Sequence, residues 1–261
     1  MMAVLSINTD VGEGFGVWGV GDESALLAEV TAANIACGFH AGDPDILRRT
    51  CDTAAELGVS IGAQVSYRDL AGFGRRFIEV PPPTLVNDIV YQIGALQAFA
   101  RIAGTEVTYV KAHGALYNAA ARHEGHASAI VEAVGLVDPA LPVLCQYRTR
   151  VWELAISAGL LPHAEVFVDR GYTDEGLLVA RSHPDALLAD PAAAAARAWE
   201  IVGTASVVSV DGIRTTVLPE QASAVALCVH SDTPGAVEIA RETRKVLERN
   251  GSAPVPIGPE R

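Results

Sequence analysis

At 261 residues and 50% hydrophobic, the chain can bury a large core, and its length suits one α/β barrel or one to two smaller domains. A formal net charge of −12 with no lysine or arginine run argues against a nucleic-acid or anionic-membrane partner and leaves a small metabolite or another protein. Cys37, Cys51, Cys145 and Cys228 are scattered singly and read as small buried hydrophobes of a reducing compartment. No basic, apolar leader precedes Ile7-Asn8-Thr9-Asp10 and no apolar run is long enough for a bilayer, so a cytoplasmic protein is expected.

The first strand is expected over 3–8, delivering Asp10 and Glu13 into a glycine-rich turn, with a helix following over 22–33. The stretch Asn34-Ile35-Ala36-Cys37-Gly38-Phe39-His40-Ala41-Gly42-Asp43-Pro44 reads as strand, site and helix: an apolar run ends at His40, and Asp43-Pro44 caps a helix that runs to Leu57 and closes on Gly58. A third strand, 59–63, ends at Gln64. It is followed by Gly72-Phe73-Gly74-Arg75-Arg76, a glycine-hinged segment whose arginines suit a lid over an anionic group. Pro81-Pro82-Pro83 introduces a helix over 84–103 with Leu85, Ile89, Ile93 and Leu96 on one face.

The fourth strand, 107–110, runs into Lys111 and His113, which point the same way because side chains alternate along a strand. Burying a lysine without purpose is costly, so Lys111 reads as functional rather than as a core lysine paired with an acid. Strands over 141–145 and 165–168 end at Gln146 and at Asp169-Arg170. A helical region is expected over 184–202, and 207–217 reads as a hairpin about Asp211-Gly212 at the base or edge of a barrel. The last strand, 224–229, ends in His230, with Thr233-Pro234 starting a helix. Residues 1–250 form a single barrel domain in this reading, and 251–261, rich in Gly and Pro, a flexible tail.

About seven strand-then-helix units place Asp10, His40, Gln64, Lys111 with His113, Asp169 and His230 at strand ends, which a parallel barrel, or a strongly curved parallel sheet, gathers into one mouth. No GxxxxGK[ST] phosphate loop is present.

At Asn8-Thr9-Asp10-Val11-Gly12-Glu13, 34–44, 72–76, 111–118 and 166–172 the chain resembles the LamB/YcsF family over nearly its whole length. The resemblance implies a distorted seven-stranded parallel barrel of the glycoside hydrolase/deacetylase type. It also implies cleavage of 5-oxoproline to glutamate coupled to ATP hydrolysis, with Mg2+, in a complex with partner subunits B and C; a homo-oligomer is also compatible. Such chemistry needs a base for water, cations for developing charge and an anchor for the substrate carboxylate. On this reading Asp10 or Glu13 is the base, Lys111 the charge stabiliser, His40 and His113 the proton carriers, and Arg75 or Arg170 the anchor, with Gln64, Asp169 and His230 also on the substrate. Gln64 stands where the family usually has histidine, and with an amide there no metal site is expected. Two rivals are a stand-alone metal-dependent deacetylase or amidohydrolase, using Asp10, His40, His113 or His230 as ligands, and a non-catalytic lactam-binding subunit.

Overall fold

A computed structural model of the chain describes residues 3–258. Among these, the strands are β1 (Val4–Val11), β2 (Ala32–Ala36), β3 (Ser60–Val65), β4 (Val107–Ala112), β5 (Val143–Cys145), β6 (Pro162–Phe167), β7 (Ser206–Val208), β8 (Arg214–Thr216) and β9 (Ala224–Val229). Seven close into a parallel barrel in the order β1-β2-β3-β4-β5-β6-β9, sealed where β1 pairs with β9 from Val4–Ala224 to Thr9–Val229. The helices are α1 (Glu23–Leu27), α2 (Pro44–Glu56), α3 (Pro82–Ile102), α4 (Gly114–Ala120), α5 (Glu124–Val137), α6 (Arg150–Ser157), α7 (Pro191–Thr204) and α8 (Ala236–Arg249). None of those described is long and apolar enough to cross a membrane.

The seven barrel strands are buried along most of their length, on both faces, and the helices cover them with apolar stripes. On α3 the stripe is the expected one: Leu85, Ile89, Ile93 and Leu96 are fully buried, each worth about 1.5–3 kcal/mol of transfer free energy. Helix α2 starts as expected, with the Asp43 carboxylate accepting from the amides of Asp45 and Ile46 and proline in the first turn. All four cysteines are buried and unpaired.

Register decides what fills the barrel. Asp10 lies beside Asn34, Gln64 beside Lys111, and Glu165 beside Ala226, so residues in step share the inner face. Tyr109 crosses the interior over Gly62, where an added Cβ would come within 2.0 Å of the ring, and its hydroxyl donates to Asn34 Oδ1 at 2.7 Å. Glycine at 62 is what admits that ring.

Several expected boundaries move, each because a tertiary partner overrides local preference. The helix expected over 22–33 shrinks to α1, and Ala32 and Ala33 join β2 between two hydrogen-bonding neighbours, although alanine favours helix. Strand β1 continues to Val11, so Asp10 sits within the strand rather than in the turn. Residues 184–190 are not helical; α7 begins where the Asp190 side chain accepts from the amides of Ala192 and Ala193. Helices α4 and α5, which the sequence reading does not anticipate, follow β4 directly. Helix α8 starts after Gly235, and Thr233 turns to the site instead of capping it. The β7–β8 hairpin packs against the segment leaving β6, through Val210 N–H to Tyr172 O and Ser209 Oγ to Asp174 Oδ1, which places it on the carboxyl side of the barrel rather than its base.

The tail expected to be flexible is docked as far as it is described. Val255 N–H donates to Leu5 O at 2.8 Å, Ile257 N–H to Ser60 Oγ at 3.0 Å, and Thr108 Oγ1 to Ile257 O at 2.7 Å. The Ile257 side chain is 4% exposed and clusters with Ala32, Tyr109, Leu144 and Ala226, plugging the amino-terminal end of the barrel. Composition marks the segment as mobile, but one isoleucine and three main-chain hydrogen bonds hold it. Ile257→Ala is therefore expected to cost about 2–5 kcal/mol in urea unfolding, against under about 0.5 kcal/mol for Val255→Ala, whose side chain is exposed. Equal small losses would mean that the tail frays.

Candidate active site

Two polar systems lie at the carboxyl ends of the strands. The first is centred on Lys111, 2% exposed. Its Nζ donates to Asp10 Oδ1 at 2.9 Å and to Cys228 Sγ at 3.2 Å, and lies 3.0 Å from Glu165 Oε1. Asn34 Nδ2 donates to the same Asp10 oxygen at 2.8 Å and to Asn8 Oδ1 at 2.8 Å. Burial alone would push the Asp10 carboxyl up, but Lys111, with His113 and His230, outweighs it and holds that carboxyl well below its ordinary value. Burial likewise works against the Lys111 ammonium, and Asp10, Cys228 and Glu165 reverse it, so the lysine stays charged. The lysine is thus a core lysine paired with two acids and also a cavity residue, a combination the sequence reading treats as exclusive.

The second system is a ring about the Gln64 carboxamide. Gln64 Nε2 donates to Glu13 Oε1 at 3.1 Å and to His113 Nδ1 at 3.0 Å, while its Oε1 accepts from His40 Nε2 at 3.2 Å. His113 Nε2 donates to Phe73 O at 3.0 Å, which leaves Nδ1 as the acceptor. The two imidazoles stack at 4.0 Å, and Phe73 packs edge-on against both. Ser231 Oγ donates to the other Glu13 oxygen at 3.3 Å. The 72–76 segment closes over this ring because Gly74 is left-handed (φ 64°) and leaves no room for a side chain: a Cβ there would lie 2.4 Å from Ser66 Oγ and 2.9 Å from His40 Cβ. An ion pair between Asp69 and Arg76 fastens the segment.

Burial and His113 depress the His40 imidazole to about 4 from its usual 6.5. Between those values the unfolded chain binds a proton that the fold refuses, so acidification favours unfolding, by on the order of 2 kcal/mol at pH 5. Comparing urea-unfolding free energies at pH 7 and pH 5 should show a smaller acid loss in His40→Gln than in the parent. The same loss in both proteins would mean that the folded chain protonates His40.

Beside these systems Asp169 orients His230. Its carboxylate accepts from His230 Nδ1 at 3.1 Å, from the His230 amide at 3.1 Å and from Thr233 Oγ1 at 2.5 Å. Burial pushes this carboxyl up, but those contacts prevail and hold it below its ordinary value. The His230 ring stacks on Phe167 at 5.2 Å.

A cavity of about 570 Å³ opens over this floor, lined by Asp10, Lys111, His113, His230, Arg75 and Arg170 among others. Of the predicted residues, Glu13, His40, Gln64 and Asp169 lie behind that lining. Gln64 is fully buried with its amide committed to protein groups, so here it does not reach a substrate. Arg170 borders the cavity, and its Nε and Nη2 donate to Ala186 O at 3.0 Å and Val179 O at 2.9 Å, which ties the guanidinium into the wall. Arg75 stands at the mouth with Arg181, both on Asp232 at 2.5 and 3.0 Å. Sequence reasoning misses Arg181, Glu165, Cys228 and the role of Asn34. Counting back two residues from His230 and from Phe167 along their strands finds Cys228 and Glu165, because inward positions alternate; nothing local marks Arg181.

Glu13, His40 and His113 offer donor atoms within 4.8 Å of one another, the arrangement a metal would need. The Gln64 amide, hydrogen-bonded to all three, already stands among those atoms, so the residues present do not fit an ion there.

A closed parallel barrel whose strand ends assemble carboxylates, a charged lysine and imidazoles around one cavity defines an α/β-barrel protein equipped for acid–base chemistry. The chain belongs to the LamB/YcsF family, whose model matches residues 5–260. It is 54% identical over 250 residues to the A subunit of 5-oxoprolinase from Mycobacterium avium, covering 96% of this chain and 97% of that protein. It is 52% identical to the corresponding 5-oxoprolinase subunit of Streptomyces avermitilis, covering 95% and 97%. The crystal structure of a lactam utilization protein from Thermus thermophilus superposes with a TM-score of 0.89 at 39% identity, over 98% of this chain and all of that one. A putative cellobiose-phosphate cleavage protein from Enterococcus faecalis shares the fold alone, with a TM-score of 0.56 at 11% identity over 98% of both chains.

Proposed function

We propose that this chain is the A subunit of an ATP-dependent 5-oxoprolinase, cleaving 5-oxo-L-proline to L-glutamate with partner subunits B and C. The observation that carries the reading is the cavity floor. Lys111 brings a permanent positive charge beside Asp10, and His230, backed by the Asp169 carboxylate, faces the same space. These are the groups that opening a lactam requires: a charge for the developing oxyanion and an oriented base for water.

His230 Nε2 takes a proton from water as its oxygen bonds to the lactam carbonyl carbon, and Asp169 stabilises the imidazolium that forms. The ring C–N bond then breaks, and the proton passes from His230 to the departing amine. Lys111 offsets charge on the carbonyl oxygen, and Asp10, held ionised, keeps that ammonium in place. His113 and His40 have their ring Nε2 atoms engaged by Phe73 and Gln64, so they shape the site instead of carrying protons. At the mouth Arg75 and Arg181 complement an anionic group on the substrate.

Coupling to ATP is part of this proposal, and the residues here do not make a site for the magnesium nucleotide. Asp10 is the one carboxylate among those lining the cavity and is already paired with Lys111, and the sequence has no phosphate loop. Nucleotide handling is therefore assigned to the assembled complex with B and C, in the cytoplasm. The test is glutamate release from 5-oxoproline and ATP. Turnover is expected with all three subunits and not with this chain alone; robust release by the isolated chain, or none from the full mixture, would refute the assignment.

A further inference from the structure

We propose that Gln64 is a positioning residue whose carboxamide does, for Glu13, His40 and His113, what a metal ion would do for such a donor set: it fixes their orientation and the tautomer of His113. Glu13 Oε1, His40 Nε2 and His113 Nδ1 each lie within 3.0–3.2 Å of one of the two polar atoms of that amide. The two carboxamide hydrogens go to Glu13 and His113, and the carbonyl oxygen takes the His40 proton, so the group uses both its donors and an acceptor.

The consequence falls on His113. With Phe73 O fixed as an acceptor on one side and the Gln64 NH2 as a donor on the other, the neutral Nε2–H tautomer satisfies both neighbours. An imidazolium would set its Nδ1 proton against the amide hydrogens. His113 Nδ1 lies 3.8 Å from Asp10 Oδ2, so the amide that orients the ring also sets what it presents to that carboxylate. Gln64 does not border the cavity, so it acts through His113 and Glu13 and not by touching substrate. The ring order is buried and preassembled, since all four side chains are at most 4% exposed.

The test compares the parent chain with Gln64→Glu and Gln64→Met, both close in size. Two-bond 15N NMR of the imidazoles is expected to show His113 as the Nε2–H tautomer in the parent. In Gln64→Glu it should be the doubly protonated ring at neutral pH, because the new carboxylate offers only acceptors. In Gln64→Met the tautomers should be mixed. This arm is independent of the proposed reaction. In the reconstituted assay with B and C, which rests on that reaction, kcat should fall roughly 10–100-fold, the usual cost of losing an orienting partner, with KM nearly unchanged. The parent, purified without chelator, should carry less than stoichiometric zinc. A parent tautomer that persists in Gln64→Glu and Gln64→Met would overturn the proposal. So would stoichiometric zinc in the parent that disappears in Glu13→Gln. Should Gln64→Glu fail to fold, the Gln64→Met spectrum decides alone.

Discussion

Replacing Lys111 by methionine is expected to lower stability by roughly 3–5 kcal/mol at neutral pH, the cost of leaving a buried charge without its partner. In the assembled complex it should also lower turnover about 10²–10³-fold, the usual effect of losing one charge-stabilising donor. One ammonium faces two buried carboxylates, Asp10 and Glu165, and methionine offers them nothing. The pH dependence separates this from simple loss of packing. Asp10 is held below its ordinary 3.8 and Lys111 above its ordinary 10.5, so the pair's contribution is complete between those values. It is lost as pH falls through the lowered Asp10 value or rises through the raised Lys111 value. In the methionine variant Asp10 keeps the burial and loses the counter-charge, so its pKa rises and the deficit against the parent should shrink on acidification. Chemical denaturation of both proteins at pH 7 and pH 4 measures this; a deficit that does not change with pH would mean that packing, not charge, was removed.

Changing His230 to alanine is expected to lower turnover about 10²–10⁴-fold, the range for a lost general base, with a loss of stability confined to Asp169, which keeps the residue-230 amide and Thr233 Oγ1 as partners. Its ring stands at the cavity and stacks on Phe167 without carrying the barrel core. Asp169→Asn should lower turnover through the same step, since the amide keeps the shape but does not stabilise an imidazolium. The double variant should then be no worse than His230→Ala, because the two act as a unit. Glutamate release by the mixture of all three components reads the three variants. Undiminished turnover in His230→Ala would remove it from the mechanism and return the base to Asp10 or Glu13.

The legible part of the site was the set of strand-end residues. Asp10, His40, Lys111, His113, Asp169 and His230 stand out in sequence because each is a polar or charged group following an apolar run, and parallel strands bring such ends together whatever lies between them. What those residues do was less legible, because it depends on distance. Gln64 reads as a substrate amide until its three partners are seen around it, and nothing local in the sequence shows that two donor atoms of Arg170 are spent on carbonyl oxygens. Asp10 and Glu13 look equivalent on the chain, yet one faces the cavity and the other is turned behind it, since the left-handed turn at Gly12 (φ 68°) separates them.

By itself the sequence determined the parallel barrel and its count of about seven units, because apolar runs, capping residues and strand-end chemistry are local properties written every few residues, and its motifs carried the resemblance to the family. Tertiary structure alone decided which carboxylates share Lys111, which tautomer His113 adopts, and that Ile257 returns to plug the barrel. Each of these depends on groups far apart in the chain meeting within 3–4 Å, where hydrogen-bond direction and desolvation set the outcome and spacing along the chain has no bearing.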